Sequence, residues 1–133
     1  MRQQSQSAAQ SLLALSAMVF AAGASLHGLA YPKAAVVAEH STLPPFFQMA
    51  FKGLWLSDSV SSLLLSLVLA AVAAKPEWAA KPLVFLLALT PLGMSMVLFL
   101  TMGRFFASYL MLIAGVLVLL AATLKPTHLT IER

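Results

Sequence analysis

The sequence predicts an all-α integral membrane protein, a four-helix bundle with four transmembrane helices. Of its 133 residues 61% are hydrophobic and only 9% are charged, whereas soluble domains carry about 25% charged residues. The mean hydropathy is +0.93. Four apolar runs approach or exceed the roughly 20 residues that a helix needs to cross a hydrocarbon core of about 30 Å. At this length we expect one domain.

Prolines, a glycine and polar residues separate the four runs. The segment "YPKAAVVAEHSTLPP" is predicted to be a loop between the first two helices, because proline is disfavoured inside helices. "KPEWAAKP" separates the second and third runs, and "TMGRF" is a tight turn that makes the last two helices an antiparallel hairpin. The predicted spans are 8–30, 46–74, 83–100 and 105–124, followed by a polar tail at 125–133.

The first apolar run could be a cleaved signal peptide or an uncleaved transmembrane helix. Its residues Ala22-Gly23-Ala24 resemble a signal-peptidase site. The apolar character continues through Ala30, however, which is long enough to span a membrane. We therefore expect an uncleaved first helix.

Basic residues predict the orientation. With four spans, five Lys and Arg fall on the side of the termini and three on the other side, so the positive-inside rule favours cytoplasmic termini. We expect the cytoplasmic (inner) membrane of a bacterium, with the lipid bilayer as the first partner. The basic residues are scattered singly, which does not favour nucleic-acid binding. The five are Arg2, Lys75, Lys81, Lys125 and Arg133.

One acidic residue, Asp58, lies inside the second apolar run. An ionisable group within a membrane span is expensive and is a candidate for function. Residues three and four positions away on its own helix carry no charge, so its partner must come from elsewhere. His27 and Arg104 are predicted at the same height near the outer surface, and His40 could fold over them from the first loop.

Small and hydroxylated residues predict how the first two helices pack. Ser62 and Ser66 follow Trp55 and Asp58 along one face of the second helix, while Gly23 and Ser16 share a face of the first with His27. Such faces let membrane helices approach closely. Pro91 is expected to bend the third helix and open a cavity beside Thr90 and Ser95.

Three hypotheses for function remain open, and the polar cluster could also be only a structural latch. The first is a non-enzymatic accessory or interaction subunit of a larger membrane assembly. The second is an oligomeric transporter of a small solute or ion that uses Asp58 and the serine face. The third is a redox subunit that binds haem or quinone through His27. No cysteine is present, and no catalytic or metal-binding motif is found, so neither an enzyme nor a cofactor is predicted. The binding or translocation candidates are Asp58, His27, Arg104, Trp55, Ser62, Ser66 and His40.

Overall fold

The computed structural model describes residues 2–125, and this part of the chain is built of four long helices. All four are long and apolar enough to cross a membrane, which confirms the all-α, four-helix transmembrane prediction. A short 3-10 turn, Pro76–Trp78, lies between the second and third helices. The predicted tail at 126–133 lies outside the described residues. The helices are α1 (Arg2–Glu39), α2 (Pro45–Ala74), α3 (Lys81–Met102) and α4 (Phe106–Leu124).

The four helices pack in the order α2, α1, α4, α3. The contacts of α1 are with α2 and α4, and α4 packs in turn against α3. In the described structure α2 and α3 form no extended contact. Yet only the residues 75–80 join them, a segment that spans about 20 Å at most. The bundle is therefore closed on three sides and open between α2 and α3.

A serine hydroxyl crosses each of the three helix interfaces and donates to a backbone carbonyl of the neighbouring helix. Ser66 of α2 donates to Ala17 of α1 over 2.8 Å. Ser16 of α1 donates to Ala114 of α4 over 3.1 Å, and Ser95 of α3 donates to the Ser108 carbonyl of α4 over 2.9 Å. Ser16 therefore contacts α4 instead of α2. Small residues at such positions bring helix backbones close enough for these bonds.

The α3–α4 hairpin contains a close approach of the two helices at Gly115. A Cβ atom added to Gly115 would lie 2.7 Å from Leu92 side-chain atoms and 3.1 Å from the Leu92 backbone nitrogen. The turn that joins the helices contains Gly103 with φ of 70°, a conformation that glycine adopts without strain. The predicted antiparallel hairpin is thus formed by a turn and a close approach that both need glycine.

One prediction made from the prolines is wrong. The segment after residue 30 is helical as far as Glu39, with Pro32 inside α1, so the loop is confined to the residues between α1 and α2. Helix α3 continues through Pro91. Beside it Ser95 is buried and bonded to α4, while Thr90 is exposed; the bend and the cavity expected there stay predictions.

An ion pair joins the end of α1, beyond its proline, to α2. Lys52 Nζ of α2 lies 2.6 Å from Glu39 Oε1 at the end of α1, and the adjacent Ala38 is buried. The part of α1 that follows Pro32 is therefore tied to α2 at its end. The α1–α2 hairpin therefore projects beyond the shorter helices, since α1 is about 57 Å long and α4 about 28 Å.

At the opposite end, Lys125 holds the α2–α3 connection beneath the bundle. Its ammonium donates to the Pro76 carbonyl at 2.7 Å and also to the Ala79 carbonyl. Burial lowers the pKa of Lys125 from its ordinary value, and the nearby Glu77 carboxylate opposes this effect. The two hydrogen bonds fix the connection to the end of α4.

We predict that Gly115→Ala destabilises the hairpin by about 1–3 kcal/mol, because the added methyl group overpacks against Leu92. Gly93→Ala is the matched control, since a Cβ there meets no atom within 4 Å. The free energy of unfolding of both variants is measured by titration with sodium dodecyl sulfate in mixed micelles, followed by circular dichroism. Equal stability of the two variants would contradict the close approach.

Candidate functional site

The α1–α2 pair holds a polar cluster of His27, Trp55 and Asp58 in the half nearer to its connecting loop. His27 Nε2 lies 3.5 Å from Asp58 Oδ2. The imidazole also stacks on the Trp55 indole, with ring centroids 4.2 Å apart and planes inclined by 8°. Trp55 and Asp58 are three residues apart and so lie on the same side of α2. One histidine of α1 therefore contacts two side chains of α2.

A backbone hydrogen bond fixes the orientation of this cluster. Trp55 Nε1 donates to the His27 carbonyl over 2.8 Å. The indole thus binds the His27 backbone through its edge and the His27 ring through its face. Ser59 donates to the Trp55 carbonyl over 3.1 Å, within α2. The indole nitrogen, which needs a partner in an apolar environment, has one, and the imidazole is held in place.

The cluster lies at the height at which α4 begins. Ser66 meets Ala17, and Ser16 meets Ala114, so these residues define one level across three helices. From that level Asp58 lies about 12 Å along α2, which is the height at which α4 begins. Half of a hydrocarbon core is about 15 Å. If that level lies at mid-membrane, Asp58 is close to the interface, where a charge costs less than in mid-membrane.

The cluster is partly open to its surroundings. The side chains of His27 and Asp58 are 34% and 44% exposed. Asp58 continues a stripe of α2 residues at helical spacing, Ser62, Leu69 and Val72, which are buried further along the helix. The carboxylate therefore lies at the point where the packed face of α2 becomes exposed.

Arg104, the other predicted partner, does not reach Asp58. It lies in the turn between α3 and α4, where it is exposed. Among the described residues the ion pairs are His27–Asp58 and Lys52–Glu39. Because α2 and α3 form no extended contact within residues 2–125, the packing does not bring Asp58 and Arg104 together.

His40 and the serines lie outside the cluster. His40 is exposed at the tip of the first hairpin, and its Nδ1 lies 2.9 Å from the Val36 carbonyl of its own helix turn. Ser62 and Ser66 are buried on the α2 side that meets α1, and the Ser66 hydroxyl is used in the bond across that interface. The structure thus separates the seven candidates into a three-residue cluster, two packing serines and two exposed basic residues.

The cluster offers a carboxylate acceptor beside an imidazole. A neutral or charged imidazole can donate from Nε2 to the carboxylate, and the remaining carboxylate lone pairs can accept from another donor. Within residues 2–125 no group of three histidine or acidic residues is placed to hold a metal ion. The arrangement is suited to hydrogen bonding a polar group that approaches from outside the α1–α2 pair.

The pairing of Trp55 with the His27 backbone could not be anticipated from sequence. The only signal was the spacing of Trp55 and Asp58 on one face of α2, opposite an α1 histidine of similar height. In the sequence Lys125 counts only toward the charge difference that predicts orientation, whereas in the structure it binds the α2–α3 connection. A lysine directly after a helix is common whether or not it reaches another segment.

Comparison of the chain with protein-family models, curated proteins and solved structures found no match. Inferences about its function therefore rest on its own residues.

We predict a small coupling between His27 and Asp58. Because both side chains are partly exposed, a double-mutant cycle with His27→Ala and Asp58→Asn should give about 0.2–1 kcal/mol. The free energy of unfolding in mixed micelles is the measurement for all four proteins of the cycle. A coupling above about 3 kcal/mol, typical of buried ion pairs, would identify the pair as the structural latch.

Proposed function

We propose that this protein is a non-enzymatic accessory or interaction subunit of a larger membrane assembly. The observation that carries the proposal is the position of α2. Among the described residues this helix forms an extended interface with one other long helix, α1, and it exposes apolar side chains along its length. It also presents a partly exposed carboxylate within that apolar surface. The exposed side chains include Leu54, Val60, Leu63, Leu64 and Leu67.

Lipid can cover the apolar part of this surface, but acyl chains cannot hydrogen bond to the carboxylate. Acyl chains offer no hydrogen-bond donor, so a polar group in a span is expected to be paired or to face protein or water. His27 occupies one side of Asp58 at 3.5 Å. A helix of another protein that carries a donor at the same height would satisfy the remaining acceptor sites. The partner we propose is therefore an apolar helix with one basic or hydroxylated residue near its outer end.

The transport hypothesis receives less support from the geometry. A path along the serine face of α2 would need free hydroxyl groups, whereas Ser66 donates to the Ala17 carbonyl. Ser62 is buried one turn away. A path could still form between α2 and a second copy of the chain, so transport by an oligomer stays an untested prediction.

The redox hypothesis also remains untested. The His27 ring is stacked on Trp55, and its Nε2 is directed at Asp58. An axial haem ligand needs a free ring nitrogen directed at the iron. The arrangement therefore favours a packing role for His27 over haem ligation.

The proposed setting is the cytoplasmic membrane of a bacterium, with both termini in the cytoplasm. The excess of Lys and Arg on the side of the termini supports this orientation. The polar cluster and the projecting α1–α2 hairpin then face the periplasm. A partner of matching topology would reach Asp58 from the outer leaflet.

Site-specific photo-crosslinking tests the proposal. A benzophenone amino acid replaces Leu54, which is 71% exposed and lies one turn from Asp58 on the same face. We expect a crosslink to one defined polypeptide in native membranes. Asp58→Asn should reduce its yield several-fold, because the carboxylate loses its charge while the helix is unchanged.

Val60 provides the matched control. It is also exposed, but it is two residues from Asp58 and therefore lies on the opposite side of α2. Benzophenone there should not give the same product. Products with lipid alone, or only with a second copy of the chain, would contradict an accessory role in a larger assembly.

A further inference from the structure

An open groove of about 650 Å³ runs between α1 and α2 in the half of the pair that ends at Lys75. It lies on the other half of the pair from the polar cluster. Its walls are mostly alanine side chains, which leave space because they are short. The lining residues are Gln10, Ser11, Ala14, Ala17, Met18, Ala21, Ser66, Ala70, Ala73 and Ala74.

The groove has the depth of one membrane leaflet. Along α1 it extends from Ala21 to Gln10, about 16 Å at 1.5 Å per residue. Half of a typical hydrocarbon core is about 15 Å. On α2 the groove ends at Ser66, at the level at which three helices are bonded to one another, and on α1 it reaches about one turn further, to Ala21.

The two serine hydroxyl groups of the groove wall are already hydrogen bonded, and the third polar lining residue, Gln10, lies at the end of the groove near Lys75. The Ser66 hydroxyl donates to the Ala17 carbonyl, and the Ser11 hydroxyl donates to the Ser7 carbonyl of its own helix. Alanine and methionine supply most of the remaining wall. Such a surface favours a hydrocarbon occupant over a polar one.

A lysine lies at the end of α2, next to the groove. Lys75 directly follows Ala74, the last lining residue of α2. Its Nζ lies 4.5 Å from the centroid of the Trp78 ring, and Trp78 is 61% exposed. An exposed tryptophan beside a lysine is typical of the membrane–water interface. Neither ion pair of the described residues involves Lys75, and the neighbouring Glu77 interacts with Lys125.

We propose that this groove binds an anionic phospholipid of the leaflet at the Lys75 end. One acyl chain lies between α1 and α2, and the phosphate group pairs with Lys75 beside Trp78. Basic side chains at the inner ends of membrane helices bind anionic head groups in this way. The charge at the mouth and the apolar wall behind it match the two parts of one lipid molecule.

A transmembrane helix is a poorer fit for the same groove. A spanning helix needs a contact surface through both leaflets, about 30 Å. Beyond Ala21 the α1–α2 pair is instead bridged by the His27–Trp55 stack. The groove therefore ends near mid-membrane, which suits an acyl chain.

Native mass spectrometry of the detergent-purified full chain tests the proposal. The protein is titrated with phosphatidylglycerol and with phosphatidylcholine that carry the same acyl chains. We expect preferential binding of phosphatidylglycerol. Lys75→Gln should lower its affinity about fivefold, toward that of phosphatidylcholine, since one surface lysine contributes about this factor. Ala70→Phe fills the groove and should weaken the binding of both lipids.

Two controls separate this site from general adhesion of lipid. Arg104→Gln removes an exposed charge at the other end of the bundle, and Leu67→Phe enlarges an exposed residue of α2 outside the groove. Neither should change the first binding step. Ala14→Phe on the α1 wall gives a second blocking variant, and circular dichroism verifies that each variant is folded. Equal affinity for the two lipids, or no effect of Lys75→Gln and both blocking variants, would overturn the proposal.

Discussion

The structure depends on hydrogen bonds from serine hydroxyl groups to the backbone carbonyls of neighbouring helices. Hydrocarbon tails are as apolar as leucine, so burial of leucine gives membrane helices little reason to associate. Close packing and hydrogen bonds must supply the attraction, and each such bond contributes about 0.6 kcal/mol. Ser66, Ser16 and Ser95 each provide one of these bonds, at three different interfaces. Among the described residues no such bond joins α2 to α3.

The open side of the bundle follows from this distribution. Helix α2 has Ser62 and Ser66 buried on the side of α1 and exposed leucines around much of its remaining surface, so it associates with α1 and exposes the rest. The same arrangement explains why Asp58 pairs with His27 of α1 while Arg104 lies apart. The polar cluster is thus a feature of the α1–α2 pair and not of the whole bundle. The projecting hairpin, held by Lys52 and Glu39, extends the same pair.

Long apolar runs made the fold class predictable. The bounds of α1 and the partner of Asp58 were harder to predict, because they depend on contacts between helices. The four spans follow from composition, and Gly103 identified the tight hairpin. Pro32 was misleading because proline is disfavoured but not excluded inside a helix, and α1 continues past it to Glu39, where Lys52 of α2 pairs with that carboxylate. The His27–Asp58 contact was one of two alternatives that helix height alone could not separate. Choosing between His27 and Arg104 requires the packing order of the helices. That order depends on which neighbouring helix each serine faces, and a sequence does not show this.

The absence of native cysteine makes a direct measurement of that packing order possible. Cysteine pairs are introduced in the isolated protein in lipid nanodiscs, and the rate of disulfide formation is measured. Ser95 with Ser108 serves as the reference pair across α3 and α4. Leu65 of α2 is then paired in turn with Leu87, Thr90 and Met94, which cover successive turns of α3. We predict rapid oxidation of the reference pair and none between α2 and α3, because disulfides need Cα atoms within about 7 Å. Oxidation of any α2–α3 pair at the reference rate would show a closed bundle and contradict the open side between α2 and α3.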